Sequence, residues 1–303
     1  MIAFIDQYRK ELLKVNGFSP STVETYTINI RAFCIFAKDE LKTDLTKISG
    51  KQLLGWLLYL KNTGIGHSRM ASHHYALKSF FSFLKKAENN TINPAEALPL
   101  LIKRYRKRTK PISSNNAMTL LDTFDRKRWT GLRDYTMVSI FWALGLRTTE
   151  LTGLKVRDFE TGHGKRIGML RVRGKNKKQR ALFVVDRLFD TLVRYLAHPR
   201  SPRKKLAALF PADTRTTAIS KSRVQRIVKE HGRKAGIAAG VTPRVLRHCF
   251  ATEMYHQNVP LSAIQDMMGH DSIADTAIYI HVSDKLKQLA LDSIHIPARL
   301  SWQ

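Results

Sequence analysis

The chain has 303 residues, which is long enough for two domains of ordinary size. It carries 52 Lys and Arg against 24 Asp and Glu; the resulting charge of +28 excludes a nearly neutral surface and predicts a polyanionic partner, nucleic acid first. Cys34 and Cys249 each stand alone, so neither a disulfide framework nor a cysteine zinc site is predicted. The longest apolar run, Met137–Leu146, is too short to span a bilayer, and we expect a cytoplasmic protein with no membrane partner.

The first 98 residues have the apolar spacing of four helices. The first is predicted from Ile2 to Leu13. The second is predicted to begin at Ser19-Pro20, because serine is a good N-cap and proline suits the first helical position. A third helix is predicted near Gly50–Lys61 and a fourth from Ser68. This segment is therefore predicted to form a small helical domain.

Residues 99–114 are predicted to be a basic linker. Their segment Lys103–Lys110, KRYRKRTK, carries six cations in eight residues, and like charges resist packing. The run can be a solvated linker or a strap that lies on phosphate groups, and these two roles are compatible. The candidate DNA contacts in it are Lys103, Arg104, Arg106, Lys107 and Arg108.

Residues 115–303 are predicted to form a second domain, mainly helical with a small antiparallel sheet. An apolar helix is predicted over Asp134–Leu144. Met169–Arg173 and Ala181–Val185 are predicted as the strands of a hairpin with a cationic tip, Gly174–Gln179. Further helices are predicted over Arg187–Leu196, Lys221–Ala235, Arg244–Gln257, Leu261–Met268 and Ile273–Ile280.

The segment G-L-R-T-T-E-L places Arg147 directly after the apolar helix. A guanidinium held at the end of a buried helix can bind a phosphate through two N–H groups, and Glu150 can hold that guanidinium in place. A simple helix-terminal salt bridge between the two residues is the alternative interpretation.

Two later segments also carry candidate functional residues. Arg244 and Arg247 are three positions apart on one predicted helix face, where two cations repel unless an anion lies between them. Gly269 ends the next predicted helix, His270 lies in the turn, and Tyr279 follows nine residues later. Taken singly, such residues are more often part of a basic helix face, a structural histidine and a core tyrosine than parts of a catalytic site.

In order and spacing, these segments together resemble the tyrosine recombinase (phage integrase) family. The family pattern is GLR-x-x-E-L, a G-K-x-x-K-x-R hairpin, H-x-L-R-H, L-G-H and a tyrosine nine residues on. This chain has G-L-R-T-T-E-L, G-K-N-K-K-Q-R, R-V-L-R-H, M-G-H and Tyr279. The resemblance covers nearly the whole chain and is closest to compact Xer-type and transposon-type members without an arm-binding domain. It implies a mainly α fold, with a four-helix SAM-like core-binding domain over 1–98 and an α-rich catalytic domain with a small antiparallel β-sheet over 115–303.

The resemblance also implies a reaction at DNA. Tyr279 would attack a phosphodiester and form a 3′-phosphotyrosine bond, releasing a 5′-hydroxyl. Arg147 and Arg247 would clamp the non-bridging oxygens. Lys175 would protonate the leaving 5′-oxygen, and His270 would hydrogen-bond the phosphate. Covalent retention of the bond energy would make ATP unnecessary.

One position departs from the family pattern, because Arg244 stands where the family usually has histidine. Arginine keeps its proton at neutral pH, so Arg244 cannot be a general base. Our hypothesis is that it is a third cation for the phosphate, with reduced activity or dependence on a partner subunit as the alternatives. Glu150 and His248 are implied to be supporting residues.

Neither a metal nor a cofactor is predicted, since the arginines would supply the positive charge that Mg²⁺ supplies elsewhere. Lys177 or Lys178 could replace Lys175 as the acid. The resemblance further implies a homo- or hetero-tetramer on duplex DNA, assembled through a C-terminal segment, and no small-molecule substrate. Arg69 on the fourth predicted helix is a candidate reader of DNA bases or contact to phosphates. Lys177, Lys178 and Arg180 are predicted to be phosphate contacts or solvated charges.

The predicted function is therefore that of a site-specific DNA recombinase. A DNA-binding accessory protein that has the fold but reduced chemistry is the alternative, and Arg244 is its only support. A type IB topoisomerase-like enzyme would use the same chemistry without exchanging partners. The DNA site, and the choice between integration, excision, dimer resolution and transposition, are not predicted.

Overall fold

The computed structural model describes residues 2–87, 93–100, 111–162, 166–174, 178–214, 216–238 and 240–269. The chain divides into two compact units, Met1–Lys107 and Arg108–Gln303. Within the described ranges the first unit is helical and the second adds a sheet to its helices. No helix in these ranges is long and apolar enough to cross a membrane.

The first unit contains the four predicted helices. The second helix begins as expected, because the Ser19 hydroxyl accepts the Thr22 N–H at 3.3 Å. The fourth helix starts one residue before the predicted Ser68. The bounds are α1 (Ile2–Lys14), α2 (Pro20–Asp39), α3 (Gly50–Asn62) and α4 (His67–Ala87), with a short 3-10 turn at Leu45–Lys47.

Aromatic side chains fill the core of this unit. Tyr8 of α1 and Phe80 of α4 are fully buried, and their rings meet edge to face with centroids 5.2 Å apart. His73 is also buried, with its ring 5.9 Å from that of Trp56. Burial, followed by the charge of Arg69, lowers the pKa of His73, so its ring favours the neutral form.

The second unit contains the predicted hairpin and helices together with elements that are too short to show a periodic pattern. The helix predicted over Ile273–Ile280 lies outside the described residues. The bounds are α5 (Ser114–Asp122), α6 (Trp129–Leu144), α7 (Thr148–Gly153), β1 (Phe159–Thr161), β2 (Ile167–Arg173), β3 (Gln179–Val185), α8 (Asp186–Ala197), α9 (Lys221–Lys234), α10 (Pro243–His256) and α11 (Leu261–Met268).

The central helix α6 begins five residues earlier than predicted. It packs against α8 and α10, so residues that look polar in the sequence lie in its buried first turns. Arg133 is fully buried, and its guanidinium contacts Asp134 and Asp213 at 2.8 Å and the Pro211 carbonyl at 2.9 Å. Arg133 is therefore held inside the protein by ion pairs with two aspartates.

The sheet has the order β1-β2-β3 and is antiparallel throughout. Both predicted strands are confirmed, and each begins two residues earlier than predicted. Leu170 pairs with Leu182, and Val172 pairs with Arg180. Because side chains alternate along a strand, Arg180 shares its face with the buried Leu182 and Val184. The sheet thus turns one arginine toward the protein interior.

Candidate active site

Arg147 is positioned by a glycine that ends α6. Gly145 has φ +61°, and a Cβ on it would lie 2.4 Å from the ring of Phe250. Both the backbone conformation and the space therefore require glycine. Leu146 is then fully buried, and Arg147 follows in an extended conformation immediately before α7.

Glu150 holds Arg147 in place from the third residue of α7. One carboxylate oxygen, Oε2, accepts the backbone N–H of Arg147 at 2.7 Å, and Oε1 accepts its Nη1 at 2.9 Å. Burial alone would raise the pKa of Glu150, but hydrogen bonds from Arg180 and from the Arg147 backbone outweigh it and lower the pKa. Glu150 is therefore a buried, ionised anchor.

Arg247 approaches the same carboxylate from α10. Its side chain is buried, and Nη1 donates to the Gly145 carbonyl at 2.6 Å while Nη2 donates to the Met268 carbonyl at 2.7 Å. Nη1 also lies 3.8 Å from Oε2 of Glu150. The two arginines predicted to clamp a phosphate are thus brought together at one end of α6.

The C-terminal end of α11 forms another side of this cluster. Arg147 Nη2 donates to the Gly269 carbonyl at 2.8 Å, and its Nη1 lies 3.3 Å from the Met268 carbonyl. Gly269 ends the helix with φ +62°. A helix C-terminus carries partial negative charge, which favours nearby cations. The turn that leads into His270 is therefore bound directly to the arginines.

Arg180 was predicted to be either a DNA contact or a solvated charge, and the structure contradicts the second of these roles. Only 13% of its side chain is exposed. Nη1 and Nη2 donate to the two oxygens of Glu150, each at 2.9 Å, and Nε donates to the Met267 carbonyl at 2.8 Å. The solvated-charge interpretation is wrong because the guanidinium is bonded inside the protein.

Three guanidinium groups thus surround one carboxylate. The cluster keeps a surplus of positive charge, and the side chain of Arg147 remains 35% exposed. A guanidinium has five N–H donors, so the exposed part of Arg147 can also reach a ligand. An anion with several acceptor oxygens, such as a phosphodiester, fits this arrangement.

Some of the remaining predicted residues lie in the described part of the second unit or of the first, and the others lie outside the described ranges. Arg244 is exposed on α10, and His248 is buried there. Arg69 and Lys178 are exposed, and the Lys178 carbonyl accepts the Gly174 N–H at 2.7 Å at the base of the hairpin. The predicted residues that lie outside the described ranges are Lys103, Arg104, Arg106, Lys107, Arg108, Lys175, Lys177, His270 and Tyr279.

The role of Arg180 is what reasoning from motifs missed. The signal was present in the strand period, since Arg180 is two residues from Leu182 and four from Val184 and so shares their inward face. Among the described residues there is no group of three or more His, Cys, Asp or Glu that could hold a metal ion.

Comparison with known proteins identifies the family. The phage integrase family model matches residues 106–285, and the phage integrase N-terminal SAM-like domain model matches residues 5–88. The tyrosine recombinase XerC of Pelobacter propionicus is 32% identical over 298 residues, covering 97% of this chain and 96% of the relative. The tyrosine recombinase XerD of Staphylococcus saprophyticus is 26% identical over 285 residues, covering 93% and 95%.

Solved structures share the fold. The XerH site-specific recombinase bound to a palindromic difH substrate in a post-cleavage complex has a TM-score of 0.70 at 21% identity, covering 94% of this chain and 84% of that one. The Tn1549 transposon integrase in complex with transposon right-end DNA has a TM-score of 0.71 at 17% identity, covering 95% and 98%. The two family models and the full-length relatives show that this chain belongs to the phage integrase family of tyrosine recombinases.

Proposed function

We propose that this protein is a site-specific recombinase that cuts and rejoins duplex DNA through a covalent bond between Tyr279 and a 3′-phosphate. The observation that carries the proposal is the pairing of Arg147 and Arg247 around the buried Glu150, in a chain of this family. The charge of +28 supports a polyanionic substrate, and the XerH and Tn1549 structures described above are complexes with DNA.

In the cleavage step, the Tyr279 oxygen forms a bond to phosphorus as the bond from phosphorus to the 5′-oxygen breaks. The tyrosine proton passes to water, and Lys175 gives a proton to the departing 5′-oxygen. In the rejoining step, a 5′-hydroxyl from another strand forms a bond to phosphorus and returns its proton to Lys175, while the bond from phosphorus to Tyr279 breaks and the tyrosine oxygen regains a proton from water. Each bond broken is replaced by one of similar energy, so the cycle needs no ATP.

Arg147 and Arg247 stabilise the charge that develops on the non-bridging oxygens. Their positions are fixed before substrate arrives, by Glu150 and by backbone carbonyls, so little reorganisation is needed during the reaction. Loss of one such donor typically costs about 10²–10³ in rate. We expect His270 to add a further hydrogen bond to the phosphate.

Three further features belong to the same proposal. We propose catalysis without a metal ion, because guanidinium groups supply the positive charge at the phosphate. We propose a tetramer on DNA that assembles through the C-terminal segment, with two pairs of protomers exchanging strands in turn. We also propose a cytoplasmic location, where duplex DNA is available.

A trapping assay tests the proposed function. Nicked DNA duplexes with sequences that flank the protein's own gene are incubated with the protein in EDTA. The mixture is then run on a denaturing gel to detect a covalent adduct. We expect an adduct with the wild type and none with Tyr279→Phe. Binding of both proteins to the same duplex is measured in parallel, so that a loss of cleavage is separated from a loss of affinity.

The outcomes separate the candidate functions. An adduct that is lost in Tyr279→Phe supports recombinase chemistry. Salt-sensitive DNA binding without an adduct favours the accessory-protein alternative, since phosphate contacts are then present without the reaction. Cleavage and resealing without exchange between two duplexes favours a topoisomerase-like activity.

Arg244 has a test of its own. It is exposed on α10 and carries a charge that does not titrate near neutral pH. If it serves as a third phosphate cation, Arg244→His lowers the cleavage rate. A large gain in cleavage for Arg244→His would instead identify the arginine as a handicap.

A further inference from the structure

Arg180 joins three segments that are far apart in the sequence. Its backbone belongs to β3 of the hairpin, its Nη1 and Nη2 bind Glu150 of α7, and its Nε binds the Met267 carbonyl near the end of α11. The contacts span 30 residues in one direction and 87 in the other. These three bonds are made inside the protein, and contact with DNA would not require them.

The carboxylate of Glu150 is saturated only because Arg180 is present. Oε1 accepts Nη1 of Arg147 and Nη1 of Arg180, both at 2.9 Å. Oε2 accepts the backbone N–H of Arg147 at 2.7 Å and Nη2 of Arg180 at 2.9 Å. A carboxylate offers about four acceptor sites, and these bonds fill them.

This saturation affects Arg247. Its Nη1 lies 3.8 Å from Oε2 of Glu150, beyond hydrogen-bond distance, and donates instead to the Gly145 carbonyl at 2.6 Å. Without Arg180, two acceptor sites on a buried negative charge would become free beside Arg147 and Arg247. Those guanidiniums would then move toward the carboxylate and away from the position that a phosphate needs.

The contact with the end of α11 is equally close. A Cβ on Gly269 would lie only 2.7 Å from Nη1 of Arg180, so the guanidinium packs directly against the glycine turn. That turn immediately precedes His270 in the sequence. Arg180 therefore contacts both the anchor of the clamp arginines and the turn that leads to the next candidate residue.

We propose that Arg180 is a positioning residue of the cleavage site: it saturates Glu150 and ties β3 to the end of α11, which keeps Arg147 and Arg247 where the scissile phosphate needs them. This inference rests on the proposed function. The low pKa of Glu150, to which the Arg180 hydrogen bonds are the largest lowering contribution, agrees with the geometry. Lysine cannot replace Arg180, because an ammonium is a point charge and cannot bridge two carboxylate oxygens and a carbonyl as a planar fork does.

The test compares Arg180→Lys and Arg180→Gln with the wild type in single-turnover cleavage at saturating protein. Displacement of catalytic groups by about 1 Å can cost about 100-fold in rate. We expect a loss of about 100-fold for Arg180→Gln and about 10-fold for Arg180→Lys, with DNA Kd within about 2-fold of the wild type. Arg171→Gln is the matched control, because Arg171 is an exposed arginine on β2 that pairs with Glu160, and we expect it to cleave like the wild type.

A neutral substrate separates positioning from a general loss of structure. A duplex with a methylphosphonate at the scissile position has one fewer charged oxygen for the arginines to stabilise. If Arg180 acts through Arg147 and Arg247, the difference between wild type and Arg180→Gln shrinks by about 10-fold on this duplex. A purely structural defect would lower both rates by the same factor.

Several results would overturn the inference. Cleavage by Arg180→Gln at the wild-type rate would do so. Equal losses of DNA binding and cleavage, with an unchanged thermal midpoint, would also do so, because they would identify Arg180 as a DNA contact. If Arg180→Gln does not fold, Arg180→Lys decides by the same criteria. Failure of the wild type to form an adduct overturns the proposed function and this inference together, whereas normal cleavage by the Arg180 variants overturns this inference alone.

Discussion

Replacing Glu150 with glutamine tests whether the arginine cluster depends on one buried charge. Glu150 is only 4% exposed, and its carboxylate accepts four hydrogen bonds from Arg147 and Arg180. Glutamine has nearly the same shape, so the change removes the charge without leaving a cavity. We expect Glu150→Gln to lower both the stability of the second unit and the rate of DNA cleavage.

The magnitude follows from the contacts. The amide oxygen can keep two of the hydrogen bonds, whereas the NH₂ group faces two donors and must lose the other two. Hydrogen bonds to charged groups contribute about 1.5–3 kcal/mol each. Breaking a buried ion pair by removing one partner costs about 3–5 kcal/mol. We therefore expect the free energy of unfolding to fall by about 3–5 kcal/mol, and cleavage to fall by about 100-fold because both clamp arginines lose their anchor.

Urea unfolding measures the first effect, and its pH dependence gives a second check. The pKa of Glu150 is lowered in the folded state, so its stabilisation is fully present above the unfolded value of 4.5 and is lost as the pH falls through the lower folded value. The difference in stability between wild type and Glu150→Gln should accordingly be constant near neutral pH and shrink below pH 4.5. Glu160→Gln is the control, since Glu160 is exposed and pairs with the exposed Arg171, and its cost should stay below about 1 kcal/mol.

A loss below about 1 kcal/mol for Glu150→Gln would refute this reasoning, because it would mean that the arginines are held without the charge. Cleavage at the wild-type rate despite a large loss of stability would refute the second half. It would show that the backbone carbonyls alone keep Arg147 and Arg247 in place.

Other substitutions test separate parts of the fold. Gly145→Ala should cost about 1–3 kcal/mol or more, measured by urea unfolding, because φ is +61° and the new Cβ would lie 2.4 Å from the Phe250 ring; an unchanged midpoint would contradict this. Arg133→Met should cost about 3–5 kcal/mol, since it leaves Asp134 buried without its partner, and a neutral effect would show that the pair is dispensable. Because the pKa of His73 is lowered in the folded state, the unfolded state binds protons more readily than the folded state. The stability of the first unit should therefore fall as the pH drops below 6.5. Urea unfolding at pH 7.5 and 5.5 measures this fall, which His73→Phe should reduce.

Much of the helical framework could be predicted from local signals. The start of α2 at Ser19-Pro20 and the bounds of α11 follow from caps and apolar spacing, which act within a few residues. The early part of α6 could not be predicted in this way. Arg133 looks like a surface residue, and its burial depends on Asp134 beside it and on Asp213 and the Pro211 carbonyl, about 80 residues away.

The candidate site shows the same division. The proximity of Arg147 and Glu150 follows from their spacing of three residues at a helix start, and the structure confirms that contact. Arg180 was predicted to be a DNA contact or a solvated charge, like Lys177 and Lys178 of the same hairpin. Its inward direction follows from the alternation along β3, where it shares a face with the buried Leu182 and Val184. Its partners could not be predicted, because Glu150 and the Met267 carbonyl lie 30 and 87 residues away, beyond the reach of a local pattern.

The acceptors that hold the arginine cluster are mostly backbone atoms, and this determines which positions can vary. Arg147, Arg180 and Arg247 donate to the carbonyls of Met267, Met268 and Gly269, which any side chain at those positions would still present. Gly269 is different, because its φ is +62° and a Cβ would collide with Arg180. The site therefore depends on the identity of its arginines, Glu150 and the turn glycine, whereas Met267 and Met268 contribute through their backbone. The arginine cluster forms only where β3, α7, α10 and the end of α11 meet, so it depends on the folding of the second unit.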